Sequence, residues 1–270
     1  LINPNTRTCP IFRSRADAEL TRYIYRRVPV LIREPHDDRP GENPWGISFN
    51  RMFDMSNDSH LFRIKEQLES DGWLLDGNIF RRGGEAYLPL YEAKLIHHYD
   101  HRWATYEGLK TRDVTPAEKS DPRFTILPRY WVHEKEIQSS LSNSRNCPLL
   151  LGYRGISNTT NERTFIMTIM PPSAAGNSVS LVFPENTINL RLLTCCSATI
   201  VFDFIVRQNM GGTNLNFYLT KQLPVLPPEA YAVACPWSKE DQTIGDWLLP
   251  RVLELTYTAW DIQPFARDCG

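Results

Sequence analysis

Residues 200–225 read Ile-Val-Phe-Asp-Phe-Ile-Val-Arg-Gln-Asn-Met-Gly-Gly-Thr-Asn-Leu-Asn-Phe-Tyr-Leu-Thr-Lys-Gln-Leu-Pro-Val. The apolar run ends in Arg207-Gln208-Asn209 and breaks at Gly211-Gly212. Thr213, Asn214 and Asn216 then alternate with Leu215 and Phe217, and Lys221-Gln222-Leu223-Pro224 closes the stretch. Upstream, 186–209 holds neither Pro nor Gly and is too long for a usual strand, which predicts a buried helix with Leu190, Leu193, Ile200 and Phe204 in its core. Paired glycines let a backbone approach a partner closely, while Arg, Gln, Asn and Thr are side chains that read base edges or hold phosphates. The same residues admit a structural account, with Gly211-Gly212 ending a helix and Asn214 and Asn216 bonding local backbone.

Working outward, Leu149-Leu150-Leu151-Gly152-Tyr153-Arg154 and Thr164-Phe165-Ile166-Met167-Thr168-Ile169-Met170 are two apolar runs joined by a polar loop, as in a strand–loop–strand unit. Arg154 and Arg163 bracket Asn158, Thr159, Thr160 and Asn161. Asn pairs with adenine, Arg with guanine, and Thr with phosphate or a thymine methyl; alternatively, Asn and Thr satisfy the backbone of an ordinary polar hairpin. Residues 73–106 are strand-like, then mixed, and Pro89 predicts an edge strand or a turn into a helix there. Near the start, Arg15 to Arg27 can form a short helix with Leu20, Tyr23 and Ile24 on one side, and Trp45, Ile47, Phe49, Met52 and Phe53 read as packing residues. Ile244 to Trp260 turns helical again, with Pro250 expected to interrupt or begin a helix. Together these elements predict an α+β fold: a mixed, mainly antiparallel sheet with packed helices.

The 270 residues carry 41% hydrophobic and 23% charged side chains, ordinary for a globular protein with a substantial core. No stretch reaches the roughly 18 uninterrupted apolar residues of a membrane helix, so no membrane partner is expected. A net charge of −1 argues against a protein that coats DNA without specificity. Seven of the thirty basic residues are lysine and 23 are arginine, whose planar fork suits guanine edges and phosphates; a GC-rich genome accounts for the bias equally well. The six cysteines (9, 147, 195, 196, 235 and 269) form no C-x-x-C pair, so neither zinc nor a disulfide framework is expected, and reduced thiols point to a cytoplasmic protein. His97 and His101 would share one face of a helix, but His98 stands where zinc proteases place glutamate. His133-Glu134-Lys135-Glu136 reads as a solvated charge run rather than a nuclease centre.

The stretch R-Q-x-x-G-G-T-x-L-N-F-x-x-x-K-Q-L-P at 207–224 resembles a segment in the C-terminal half of large adenine-specific DNA methyltransferases of type II (IIG-like) restriction–modification systems. Further blocks resemble that family in the same order: Ile2 to Thr8; Leu88-Pro89-Leu90-Tyr91-Glu92 through Asp100-His101-Arg102; Leu149 to Thr164 with its Thr160-Asn161-Glu162-Arg163-Thr164; and Pro250-Arg251-Val252-Leu253-Glu254-Leu255 through Pro264-Phe265-Ala266.

The resemblance implies a target-recognition region that binds double-stranded DNA beside a catalytic domain lying outside this chain. Its division would be an entry arm at 1–45, recognition at 46–228 and a helical extension at 229–270, with a domain boundary within 36–46. It makes Arg154, Asn158, Thr160, Asn161, Arg163, Arg207, Gln208, Gly211, Gly212, Thr213 and Asn214 DNA-binding candidates, together with Lys94 and Arg102 of the 88–102 block. Residues shared by enzymes that read different sites suit scaffolding or phosphate contacts better than base reading. The chain has no glycine-rich cofactor loop and no Asn/Asp-Pro-Pro-Tyr/Phe motif, Asn43-Pro44-Trp45 being the nearest match. It is therefore expected to be non-catalytic and to hold no cofactor, S-adenosylmethionine belonging to the parent enzyme, which could also carry a nuclease. A start at Leu1 rather than methionine fits a fragment. The implied setting is the bacterial cytoplasm and phage defence. The rival expectation is a protein-interaction scaffold of a methyltransferase complex, which would show a large apolar patch.

Overall fold

The computed structural model describes residues 2–36, 39–141 and 149–269, so Leu1, Cys147 and Gly270 lie outside it. In chain order the first elements are α1 (Arg15–Tyr25), β1 (Ser48–Asn50), β2 (Phe62–Arg63), α2 (Lys65–Ser70), β3 (Leu74–Asp76), β4 (Ile79–Arg82) and β5 (Glu85–Tyr91). They are followed by β6 (Ala104–Glu107), β7 (Lys110–Asp113), α3 (Pro116–Ser120), β8 (Trp131–His133), α4 (Glu134–Leu141), β9 (Leu150–Arg154) and β10 (Met167–Met170). The last are β11 (Ala174–Ala175), β12 (Val179–Phe183), α5 (Thr187–Ser197), α6 (Ile200–Asn209), α7 (Phe217–Lys221), α8 (Ile244–Thr256) and α9 (Gln263–Asp268). The fold class is α+β, as expected. By packing, the chain divides into two interleaved units: the first comprises Leu1–Ser48, Gly155–Ile166 and Pro184–Val252, and the second Phe49–Arg154, Met167–Phe183 and Leu253–Gly270.

The second unit holds the sheets. One has the order β2-β8-β5-β4-β3 with β11 added parallel to β5, another the order β1-β12-β9-β10, and β6 and β7 form a hairpin. Contrary to expectation, Pro89 lies inside a central strand, opposite Trp131 of β8. The ladder explains how this is tolerated. The Leu90 N–H donates toward β8, to the Tyr130 carbonyl, so the Pro89 nitrogen faces the opposite side. There β4 pairs only as far as Tyr87 and β11 begins at Leu90, which leaves Pro89 in a gap where no donor is needed.

The expected strand–loop–strand unit is β9 and β10, paired antiparallel with Tyr153 opposite Met167. Strand β9 runs between β10 and β12 and is buried from Leu150 to Tyr153. A Cβ at Gly152 would come within 2.7 Å of Met170 Cε and 2.9 Å of Val179 Cγ1, so the close approach of three strands fixes glycine there. Gly152→Val is expected to destabilise the protein by about 1–3 kcal/mol through overpacking. Urea unfolding checks this; an unchanged midpoint would mean that Met170 swings aside at no cost.

The first unit is mainly helical. Asn186 caps α5 by accepting the Asn189 N–H at 2.8 Å. The single helix expected over 186–209 is instead two, meeting at a 71° bend. Thr199 makes the break: it takes extended backbone angles and its hydroxyl accepts the Phe202 N–H at 3.2 Å, starting α6 afresh. The bend rotates the buried face. Leu190 and Leu193 are interior as expected, but Ile200 is 79% exposed while Phe202, Ile205 and Val206 are buried. Leu20 and Tyr23, expected on the packed side of α1, are about half exposed. Trp45, Ile47, Met52 and Phe53 are buried as expected, each within its own unit. Helix α8 continues through Pro250 rather than stopping there, since the ring's fixed φ suits a helix and one backbone donor is lost. No single helix among the described residues is long and apolar enough to cross a membrane.

Candidate nucleic-acid interface

Strands β9 and β10 hold the ends of the loop 155–166, which packs within the first unit against the segment after α6. The Ser157 N–H donates to the Thr213 carbonyl at 2.8 Å and the Leu215 N–H to the Gly155 carbonyl at 2.8 Å, a short antiparallel bridge centred on Ile156 and Asn214. The two stretches singled out in the sequence are thus one structure. Its exposed rim carries Asn158, Thr160, Asn161, Gly211, Gly212, Thr213 and Asn214. Asn158 Oδ1 accepts the Thr160 N–H at 3.1 Å, which shapes the loop tip.

Behind the rim lies a charged brace. Asp203, 4% exposed, accepts the N–H groups of Thr164 at 2.7 Å and Phe165 at 3.0 Å through Oδ1. Its Oδ2 accepts Arg207 Nε at 2.8 Å. The Arg207 guanidinium also donates to the carbonyls of Thr159 (2.8 Å), Asn161 (2.8 Å) and Glu162 (2.5 Å). Arg163 Nη2 donates to the Ala198 carbonyl at 2.6 Å, and its Nε lies 3.6 Å from Asp203 Oδ1. Burial alone would raise the Asp203 pKa, but the Phe165 N–H, the Arg207 guanidinium and the Thr164 N–H outweigh it and hold the carboxyl below its ordinary value.

Arg163 and Arg207 are therefore committed to main-chain carbonyls and the Asp203 carboxylate, and they set the loop's shape. Gln208 is half-buried beside them. Asp203 was not singled out from sequence, although a signal existed: it is the one carboxylate in the apolar run 200–206, four residues before Arg207 on the same helix.

The remaining candidates belong to the second unit. Arg102 requires correction: expected at a DNA phosphate, it is 1% exposed. Its guanidinium donates to the carbonyls of Asp121 (3.0 Å), Phe124 (2.9 Å), Lys119 (3.1 Å) and Thr258 (2.8 Å). Burial and complete use of the fork make it an internal brace rather than a surface contact. Arg154 is half-buried and donates to the Ile96 carbonyl at 3.0 and 2.6 Å. Lys94 is exposed, with Nζ 4.6 Å from the Tyr106 ring centre and 3.8 Å from Glu92. His97 and His101 do not share a helix face, because His97 and Asp100 close a tight turn with Tyr99 at φ 59°. His101 is buried, with Nε2 2.9 Å from Asp261. Among the described residues no three His, Cys, Asp or Glu side chains are arranged to hold a metal ion.

No family model matches the chain, and no curated protein does. One solved structure, from work on the structural basis underlying complex assembly and conformational transition of the type I R-M system, is similar at 13% identity and a TM-score of 0.23. That match takes in 94% of this chain and 49% of the other, so the chain spans about half the length of the protein it matches. A TM-score this low carries no argument, and the functional reading rests on the residues themselves.

Proposed function

We propose that the chain is a DNA target-recognition region of an S-adenosylmethionine-dependent, adenine-specific DNA methyltransferase of a restriction–modification system, working in the bacterial cytoplasm beside a catalytic domain elsewhere in the parent enzyme. The supporting observation is the joining of 155–164 to 211–215 into one exposed rim of Asn, Thr and Gly, braced from behind by Arg163, Asp203 and Arg207. Carboxamides and hydroxyls on such a rim suit base edges and phosphate oxygens, while the brace fixes their spacing. The chain's own residues bind and orient the duplex, and the transferred methyl comes from the cofactor of the catalytic domain.

Fluorescence anisotropy of a labelled duplex tests this. Binding by the chain alone is expected at roughly micromolar affinity or weaker, falling as salt rises. The double variant Asn158→Asp, Thr160→Asp places two carboxylates on the rim, and the one introduced at position 158 can still accept the backbone N–H that Asn158 accepts. Binding should weaken roughly tenfold or more through repulsion of the phosphates. Equal affinity for the variant would remove the rim from this reading.

One observation favours a second reading, a scaffold that docks another protein. The first unit carries an apolar groove of about 480 Å³ lined by residues including Val28, Phe202, Ile205 and Leu248, with Val201 (59%) and Trp237 (56%) exposed at it. Absence of any salt-sensitive duplex binding would turn the assignment to that groove.

A further inference from the structure

The first unit also contains a cleft of about 480 Å³ between the turn at 3–10 and the segment 209–222, within the roughly 300–1,000 Å³ usual for small-ligand sites. Its walls are carboxamides and hydroxyls, including Asn3, Thr8, Asn209, Thr213, Asn214 and Gln222, with Tyr218, 56% exposed, also lining it. None of the described residues lining it is charged, so a phosphate or a metal ion would meet no counter-charge.

Two of the wall side chains have a buried carboxamide oxygen that accepts no hydrogen bond from the described residues, Asn3 (8% exposed) and Asn209. Their amino ends are already used. Asn3 Nδ2 donates to Thr8 Oγ1 at 3.2 Å, and Asn209 Nδ2 donates to Tyr25 Oη at 3.1 Å and to the Ile205 carbonyl at 2.9 Å. The Ile205 carbonyl can only accept, which fixes the Asn209 amide with its oxygen as the spare acceptor. Buried acceptors of this kind favour a ligand that brings N–H donors.

We infer that this cleft takes the amino-bearing edge of an unpaired nucleobase, adenine or cytosine, with Tyr218 available to stack on the ring. The inference rests on the DNA-facing reading of 211–214, because Gly211 to Asn214 line the cleft as well as the rim.

The test titrates the full chain with adenosine, cytidine and thymidine, followed by calorimetry and by amide chemical shifts. Adenosine and cytidine should bind, and thymidine, which lacks the amino group, should bind about tenfold more weakly or less. A Cβ at Gly211 or Gly212 meets nothing within 4 Å and neither residue has a left-handed φ, so Gly212→Leu can fill the cleft without straining the backbone. Gly212→Leu should abolish adenosine binding with an unchanged melting temperature, and Tyr218→Ala should weaken it roughly tenfold. Thymidine binding as well as adenosine, adenosine binding surviving both variants, or no nucleoside binding would each overturn the inference. Duplex anisotropy on the same preparations separates the two claims. Duplex bound without adenosine removes the cleft alone; adenosine bound without duplex removes the DNA reading and leaves a nucleobase site.

Discussion

Replacing Arg102 by alanine is expected to destabilise the protein by about 3–5 kcal/mol, the usual cost of removing one partner from a buried charged network. The side chain is 1% exposed and its fork donates to four carbonyls drawn from Lys119, Asp121, Phe124 and Thr258. Alanine would leave those oxygens buried without donors and open a cavity the length of the side chain. Arg102→Lys should recover little, because an ammonium cannot reproduce the planar fork that spans carbonyls from separate turns. Urea unfolding followed by tryptophan fluorescence reads the effect. A loss below about 0.5 kcal/mol, the range of ordinary surface substitutions, would show that Arg102 is not the brace described.

The second large effect is expected at Asp203. Asp203→Ala removes the acceptor of two main-chain N–H groups and the partner of Arg207, again at about 3–5 kcal/mol, and should free the loop 155–166. Asp203→Asn should cost less, since its carboxamide oxygen can still accept from Thr164 and Phe165 while the charge opposite Arg207 is gone. The pH dependence gives an independent check. The folded pKa lies below the ordinary 3.8, so the carboxylate's contribution is fully present above that value and is lost as pH falls through the lowered folded pKa. The stability difference between wild type and Asp203→Asn should therefore be constant near neutrality and shrink only in acid below 3.8. A difference that changes between about pH 6 and 8 would assign the effect to another group.

What local chemistry decides was readable in the chain. Alternating apolar runs gave β9 and β10 their pairing, the helix at Arg15–Tyr25 follows its periodic pattern behind the Ser14 cap, and Trp45, Ile47, Met52 and Phe53 are interior. What partners decide was not. Pro89 is admissible only because two neighbouring strands stop on either side of it, and strand ends are set by long-range pairing. Thr199 is a threonine like many others until its hydroxyl finds the Phe202 N–H and divides 186–209. Arg102 reads as a surface cation, because nothing in its neighbours announces carbonyls arriving from residues up to 156 positions away.

The candidate rim was partly legible for the same reason. Asn, Thr and Gly at both segments were visible as polar, turn-forming chemistry, and the structure adds that the two lie side by side. Arg163 and Arg207 looked like contacts because arginine at a helix end or loop end usually faces water. Here the unpaired carbonyls of a loop that curls back on itself claim them first.

The interleaving of the chain has a consequence for anyone exchanging specificities between relatives. The rim and its brace come from stretches separated by two strands of the other unit, so no single crossover point transplants them together. A chimera that imports 155–166 alone would set a foreign loop over a native Asp203 and Arg207, and one that imports 184–252 alone would do the reverse. Functional hybrids should appear only when both inserts travel as a matched pair.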